Sequence, residues 1–325
     1  MRPILAIIPA LPSSYLLPIA LVALLLGGAV AAKSRNPLPL AFGAGIAALA
    51  FFWTRGSITL HSYGLFLVLG FFVSTTLACL EAKRRGYDPN VLLDLAMPLL
   101  LVSVVCCRIL YFIIYPSQWH GAREALQIWN GGLSFHGALI GAPLTIAYFA
   151  WTRKIAFGTL GDLIAPGAFL GYAIGRIGCF MNGCCYGHAC DLPWAVSFPD
   201  ENDRAVNATG QFLHMTPPSH PAQLYSTFMG VILFAIMWRL RLRPMFNRFP
   251  GQLTLLFFAF YAVERFIMEI FRNGATAPIA FPLPWGLPAL TQAQFASILG
   301  LIVITAIYSF MIRRPRANTR LASSG

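Results

Sequence analysis

Residues 91–114 read VLLDLAMPLLLVSVVCCRILYFII, and this stretch decides the class of fold. Asp94 and Arg108 are its only charged residues. An α-helix needs about 20 predominantly apolar residues to cross the hydrocarbon core of a bilayer. The stretch is long enough and apolar enough to form such a helix, so we expect the chain to lie in a membrane.

The same pattern recurs along the whole chain. Of its 325 residues, 58% are hydrophobic and only 10% are charged, whereas about a quarter of the residues of a soluble domain carry charge. We therefore predict an all-α, polytopic integral membrane protein with nine transmembrane spans. The predicted spans are 15–32, 37–53, 61–80, 91–114, 134–151, 159–180, 221–239, 252–271 and 293–312.

The basic residues are distributed as in a membrane protein. The net charge is +12, and 15 of the 23 Lys and Arg residues occur in short clusters after alternate spans. Such clusters mark the cytoplasmic side, so the pattern predicts an outer N-terminus and a cytoplasmic C-terminus and argues against nucleic acid as a partner. The clusters are Lys33 and Arg35; Lys83, Arg84 and Arg85; Arg153 and Lys154; Arg239, Arg241, Arg243 and Arg248; and Arg313, Arg314, Arg316 and Arg320.

The first residues have a second interpretation, as a cleaved signal peptide. Arg2 is followed by an apolar stretch and by Gly-Ala-Val-Ala-Ala (28–32) ahead of Lys33. Cleavage there would invert every later span and place the basic clusters outside. The charge pattern therefore favours an uncleaved start.

Polar and charged side chains collect at the outer ends of five predicted spans. A charge near the centre of a bilayer costs at least about 2.5–3.5 kcal/mol, so such residues usually have a partner or a function. Together they indicate a site that faces the outer leaflet. The residues are His61 and Tyr63; His136; Arg176 and Asn182; His220, Gln223 and Tyr225; and Arg265, Glu269 and Arg272.

Several of these residues also have a structural interpretation. Arg265 and Glu269 are four residues apart and can neutralise each other, and Arg176 can extend to the headgroups. Asp94 and Asp162 lie near cytoplasmic helix starts, where a carboxylate suits the helix N-terminus. We predict structural roles for both aspartates.

Four of the seven cysteines fall in CFMNGCCYGHAC (179–190). The spacing is not the paired C-x-x-C of common zinc sites, and adjacent cysteines rarely ligate the same ion. An outward-facing position permits disulfides. The spacing therefore favours ordinary packing, or one disulfide involving Cys190, over zinc, and no metal site is predicted.

The stretch GRIGCFMNGCCYG (175–187) resembles the signature of the prolipoprotein diacylglyceryl transferase family. GGLSFHGALIG (131–141), HPAQLY (220–225) and RFIMEIFR (265–272) resemble further motifs of that family. The resemblance extends over about 57–312 in order and spacing. Two positions depart from the commonest signature, which has Asn in place of Cys179 and Glu in place of Cys184.

The resemblance implies transfer of the diacylglyceryl group of phosphatidylglycerol to the lipobox cysteine thiol of a prolipoprotein. A thioether forms and glycerol phosphate leaves, with no cofactor. His136 is then the expected base, because a nearby base raises the thiolate fraction of the acceptor. Arg176 and Arg265 are expected to stabilise the negative charge that develops on the departing phosphate. The expected substrate-binding residues are Tyr63, Asn182, Gly187, Glu269 and Arg108.

The domain organisation follows from the same comparison. We expect an N-terminal extension with two spans (1–56), a seven-helix transferase core (57–312) and a basic cytoplasmic tail (313–325). The outer loop 183–219 is a candidate lid or peptide-docking element. The expected location is the bacterial inner membrane, with the active site at the outer leaflet and with phosphatidylglycerol, membrane lipids and the lipobox segment as partners.

Three alternatives remain open from the residues alone. The first is a related membrane lipid transferase with another acceptor. The second is an anion transporter that uses the Arg and His residues, although transporter sites usually lie near the midplane between related halves. The third is a thiol oxidoreductase using Cys184 and Cys185, for which the expected C-x-x-C is missing.

Overall fold

The computed structural model describes residues 4–8, 58–116, 121, 132, 134–200, 214–272 and 290–313. Within these residues, seven α-helices coincide with seven of the nine predicted spans, and the predicted spans 15–32 and 37–53 lie outside the described residues. The helices are α1 (Ser62–Arg84), α2 (Asn90–Ile114), α3 (Phe135–Arg153), α4 (Phe157–Asn182), α5 (Ala222–Leu240), α6 (Gln252–Phe271) and α7 (Gln292–Arg313).

Five of the seven helices are long and apolar enough to cross a membrane, namely α1, α2, α4, α5 and α7. This confirms the prediction of an all-α, polytopic membrane protein. The exception is a two-stranded antiparallel pair, β1 (Ile4–Ile8) with β2 (Ile58–His61). The sequence analysis did not predict these strands, because such short apolar runs resemble the flanks of a helical span.

The described residues divide into two compact units. The first contains 4–8, 58–66 and 181–183, and the second contains the remainder. The fold and the site below are described for the second unit.

The central helix of the second unit is α4, which contributes to both hydrophobic cores. Leu160 and Leu163 pack in a cluster with residues of α1, α2 and α3. Phe169 packs in another cluster with residues of α5 and α6. All three side chains have at most 1% of their surface exposed, so α4 is held on every side.

Helices α2 and α3 approach closely through two glycines one turn apart. A Cβ at Gly137 would collide with the backbone of Cys106 and Cys107, and a Cβ at Gly141 would lie 2.9 Å from the Cα of Ser103. Small residues allow this approach between membrane helices.

The basic end of the second unit is defined as the end at which α1, α3 and α5 finish. Glu81 there has no exposed surface. Its carboxylate pairs with Arg84 at 2.5 Å, with Arg85 at 2.6 Å and with Arg241 at 2.6 Å. Arg241 also stacks on the ring of Trp238, with 3.6 Å between the guanidinium carbon and the ring centroid. Part of the predicted positive-inside charge is therefore neutralised by a buried carboxylate.

Both aspartates make structural contacts, but these contacts are with other helices and not, as the sequence had predicted, with their own helix starts. Asp94 pairs with Arg153 at 2.6 Å, which joins α2 to the end of α3. Asp162 accepts hydrogen bonds of 2.8 Å from the backbone N–H of Gly251, the backbone N–H of Thr254 and the Thr254 hydroxyl. Asp162 therefore caps the N-terminus of α6, a neighbouring helix, rather than its own.

Candidate active site

The signature end of the second unit is defined as the end at which α4 and α6 finish and α5 begins. Arg176 on α4 lies over the ring of Tyr172, with 5.0 Å from the guanidinium carbon to the ring centroid. The Tyr172 hydroxyl donates a 2.7 Å hydrogen bond to Oε1 of Glu264 on α6. These three side chains therefore link α4 to α6 at the signature end.

Glu264 is only 1% exposed. Its Oε2 atom is buried and has no hydrogen-bond partner in the part of the chain that the structure describes. The sequence analysis missed Tyr172 and Glu264. The available signals were a tyrosine four residues before Arg176 and a carboxylate adjacent to Arg265 inside an apolar span.

Arg265 and Glu269 form the ion pair that their spacing predicted. The guanidinium and carboxylate groups are 2.7 Å apart, and the two side chains are 18% and 2% exposed. The pair lies on α6, with Arg265 directly after Glu264 and Glu269 about one turn further along.

Tyr261 on α6 is a further aromatic residue at this end. Its ring packs edge-on against Tyr172, with 6.0 Å between the ring centroids. It lies within the electrostatic range of Arg176, Arg265 and Arg272. Arg176, Arg265 and Arg272 therefore lie at this end together with the carboxylates of Glu264 and Glu269, and guanidinium groups are suited to binding an anionic ligand.

The chain after α4 is pinned between α5 and α6 at Gly187. The backbone N–H of Gly187 donates to the carbonyl of His220 at 2.9 Å, and the N–H of His188 donates to the carbonyl of Phe271 at 2.9 Å. A Cβ at Gly187 would collide with that Phe271 oxygen and would lie 2.7 Å from the Cβ of His220. Only glycine fits this close approach.

Three cysteines of the signature converge. The sulfur atoms of Cys179, Cys184 and Cys185 all lie within 4.8 Å of one another. Cys185 has a left-handed backbone with a φ of 64°, and Gln223 donates a 2.7 Å hydrogen bond to the carbonyl of Cys184. All seven cysteines lie in the described residues and none forms a disulfide, so the proposed disulfide of Cys190 is not present.

The environment of Cys185 favours its thiolate. Hydrogen bonding by the Cys179 and Cys184 thiols lowers the pKa of the Cys185 thiol, and the positive charges of Arg272 and Arg176 lower this pKa further.

Arg108 lies in the second half of α2. It is 7% exposed, and its Nη1 donates a 2.8 Å hydrogen bond to the carbonyl of Gly132. Its guanidinium carbon lies 4.7 Å from the Phe112 ring centroid. Arg108 therefore holds the segment that leads into α3.

Three further predicted site residues lie at the ends of helices. His136 is the second residue of α3, and its side chain lies outside the described atoms. Tyr63 lies in the first turn of α1 and is 40% exposed. Asn182 is the last residue of α4. Of the predicted residues, the second unit thus brings Arg176, Arg265 and Glu269 to one place, with Gly187 beside Arg272.

A family model for prolipoprotein diacylglyceryl transferase matches residues 50–311. Curated proteins named phosphatidylglycerol–prolipoprotein diacylglyceryl transferase are also similar. The protein from Bordetella parapertussis is 33% identical over 272 residues, which cover 80% of this chain and 94% of that protein. The protein from Trichormus variabilis is 30% identical over 274 residues, which cover 83% and 92% of the two chains.

Proposed function

The chain belongs to the prolipoprotein diacylglyceryl transferase family, and from this premise we propose that it transfers the diacylglyceryl group of phosphatidylglycerol to a prolipoprotein cysteine. The cysteine sulfur attacks the diacylglycerol carbon that bears the phosphate oxygen. A C–S bond forms, the C–O bond breaks, and glycerol phosphate leaves with the bonding electrons. The thiol proton goes to a base on the enzyme.

The observation that carries this proposal is the set of three arginines at the signature end. Arg176 lies over the ring of Tyr172, Arg265 pairs with Glu269, and Arg272 lies opposite Gly187. The phosphodiester of phosphatidylglycerol has one negative charge, and the phosphate gains a second as it leaves. Guanidinium groups stabilise such charge most strongly where water is excluded.

Two carboxylates keep the guanidinium groups in place. Glu269 pairs with Arg265 at 2.7 Å, and Glu264 holds the hydroxyl of Tyr172, over which Arg176 lies. The Nε of Arg272 is buried without a hydrogen-bond partner among the described residues, and a phosphate oxygen would supply one. We assign phosphate binding to Arg176 and Arg265, with Arg272 as a further contact.

We assign the role of base to His136. The backbone N–H of Ser134 donates to the carbonyl of Cys107 at 3.1 Å, which fixes the start of α3 against α2. The hydrogen bond from Arg108 to Gly132 holds the preceding segment. A histidine is suited to this role because its ordinary pKa lies close to neutral pH. Tyr63, Asn182 and Gly187 complete the proposed substrate contacts.

The proposed site faces the outer leaflet of the bacterial inner membrane. The basic residues Arg84, Arg153, Arg239 and Arg313 lie in the last turns of α1, α3, α5 and α7. Positive charge marks the cytoplasmic side, so the basic end and the C-terminus are cytoplasmic and the signature end is outside. Membrane-bound phosphatidylglycerol and the lipobox segment of an exported prolipoprotein both reach that leaflet.

Within this proposal, residues 57–312 form the transferase core. The outer loop 183–219 docks the prolipoprotein peptide, because its first part is held beside Arg272 and His220 through Gly187. The extension 1–56 precedes this core and the tail 313–325 follows it.

The test is transfer of labelled diacylglyceryl from phosphatidylglycerol to a lipobox peptide by the purified protein. Loss of one group that stabilises transition-state charge typically lowers the rate by about 10²–10³-fold, and we expect Arg176→Ala to do so. Arg153→Ala is the matched control, since Arg153 is a half-exposed arginine at the basic end, and it should retain the wild-type rate. A folded wild-type protein that transfers nothing to the peptide would overturn the proposal and direct the search to other thiol acceptors.

A further inference from the structure

We propose that Cys179, Cys184 and Cys185 bind one thiophilic metal ion of the zinc class and leave its fourth coordination position open for an external thiol. Thiolates are preferred ligands of zinc and other soft ions. The sequence argument weighed against zinc because of the adjacent cysteines. The structure removes that objection by the way the chain turns after α4.

The turn brings the two adjacent cysteines to the same side. Side chains of consecutive residues normally diverge, but Cys185 has a left-handed backbone with a φ of 64°. The sulfurs of Cys184 and Cys185 thereby both approach Cys179, which lies on the last turns of α4. Gln223, which is 1% exposed, holds this turn from α5 through the carbonyl of Cys184.

The distances suit a single ion. With a Zn–S bond of about 2.3 Å, two sulfurs of a tetrahedral site lie about 3.8 Å apart. The three sulfurs are already within 4.8 Å of one another, so small rotations of the side chains complete the coordination. No disulfide among the seven cysteines occupies these sulfurs.

The surrounding charge also suits a thiolate-bound ion. Three thiolates around one divalent cation have a net charge of −1, and Arg176 and Arg272 lie within the electrostatic range of Cys185. The positive charge of these two guanidinium groups stabilises the thiolate-bound ion.

In this proposal, the thiol of the acceptor takes the fourth coordination position. Among the residues that the structure describes, the candidate metal ligands in this cluster are the three cysteines. Zinc sites with three protein ligands keep a position for water or substrate. If the proposed function is correct, the acceptor cysteine would bind there as a thiolate, with its proton passed to the base, before it attacks the lipid carbon.

The metal is tested first, without reference to activity. The full-length protein is purified in detergent under reducing conditions, its zinc content is measured, and Co²⁺ is then titrated into the metal-depleted protein. We expect about one zinc ion per chain and a sulfur-to-cobalt charge-transfer band. Cys179→Ser and Cys184→Ser should each abolish the band, whereas Cys190→Ser and Cys79→Ser should retain it.

Thermal unfolding of each variant identifies any that fail to fold. The metal site would be overturned if folded wild-type protein, with the thiols of Cys179, Cys184 and Cys185 reduced, contained no zinc and gave no cobalt band. A band that Cys190→Ser removes as completely as Cys179→Ser would do the same.

The open position is tested by adding a lipobox peptide to the cobalt-loaded protein. The spectrum should change with the cysteine peptide and not with a matched serine peptide. An unchanged spectrum, or full transfer activity in metal-free protein, would overturn the thiol-binding role. Metal binding without any transfer would instead count against the proposed function and leave the metal site standing.

Discussion

The Tyr172 hydroxyl donates a 2.7 Å hydrogen bond to Glu264, and this bond ties α4 to α6 directly beneath Arg176. The two residues are 92 positions apart in the sequence. An aromatic ring supports the guanidinium group, and a buried carboxylate fixes the ring. The arrangement gives Arg176 a defined position, and no ion pair joins it to an acid within the part of the chain that the structure describes.

Tyr172→Phe should weaken this link while retaining the ring. An unsatisfied buried acceptor costs about 1–3 kcal/mol, so we expect the free energy of unfolding to fall by that amount. We expect the displaced Arg176 to lose about 1.4 kcal/mol of transition-state stabilisation, which corresponds to a transfer rate about tenfold lower. Thermal unfolding and the transfer assay measure the two effects.

Tyr148→Phe is the matched control, because Tyr148 is 60% exposed on α3. It should change neither stability nor rate. Equal effects of the two substitutions would contradict the role assigned to Tyr172.

The Arg265–Glu269 pair should show strong energetic coupling. Breaking a buried ion pair by removing one partner costs about 3–5 kcal/mol, because the other charge remains buried. A double-mutant cycle with Arg265→Gln and Glu269→Gln, followed by thermal unfolding, should therefore give a coupling free energy above about 1 kcal/mol.

The exposed pair Arg153–Asp94 serves as the comparison. Its side chains are 48% and 27% exposed, and such pairs couple by about 0.2–1 kcal/mol. Equal coupling in the two cycles would show that Glu269 does not hold Arg265 in a desolvated site.

Gly187→Ala should disrupt the segment that follows the signature. The added Cβ collides with the Phe271 carbonyl oxygen, and overpacking of this kind costs about 1–3 kcal/mol. We expect a lower unfolding midpoint and a loss of transfer. Gly300→Ala on α7 is the control, since no atom lies within 4 Å of its added Cβ. Wild-type stability and rate in Gly187→Ala would refute the packing argument.

Glu81→Gln should destabilise the protein at the end remote from the chemistry. Glu81 has no exposed surface and three arginine partners, so removing its charge should cost about 3–5 kcal/mol. The rate per folded molecule should not change. Asp88→Asn, at an exposed position in the same region, should stay within about 0.5 kcal/mol of wild type. A loss of rate without a loss of stability would indicate that the basic end affects catalysis.

The helices could be predicted closely from the sequence. The spans expected at 91–114 and 252–271 correspond to Asn90–Ile114 and Gln252–Phe271. The thickness of the bilayer sets the length of each apolar run, so the run itself marks the helix. The spacing of Arg265 and Glu269 likewise predicted their ion pair, because residues four apart lie on the same face of a helix.

Contacts between distant segments could not be predicted in this way. Asp162 was expected at its own helix start and instead caps α6. Glu264 was overlooked because its partner Tyr172 lies on another helix. No local pattern records which helices become neighbours.

The amino-acid sequence by itself determined that this chain is a polytopic membrane protein of the diacylglyceryl transferase family, because apolar length, basic clusters and motif order are all local properties. Only the tertiary structure decided what the polar residues meet. It brought Arg176, Arg265 and Arg272 to the signature end and turned Cys184 and Cys185 toward Cys179. Such convergence depends on how α4 packs against α5 and α6. It also depends on the left-handed backbone of Cys185, which no sequence pattern predicts.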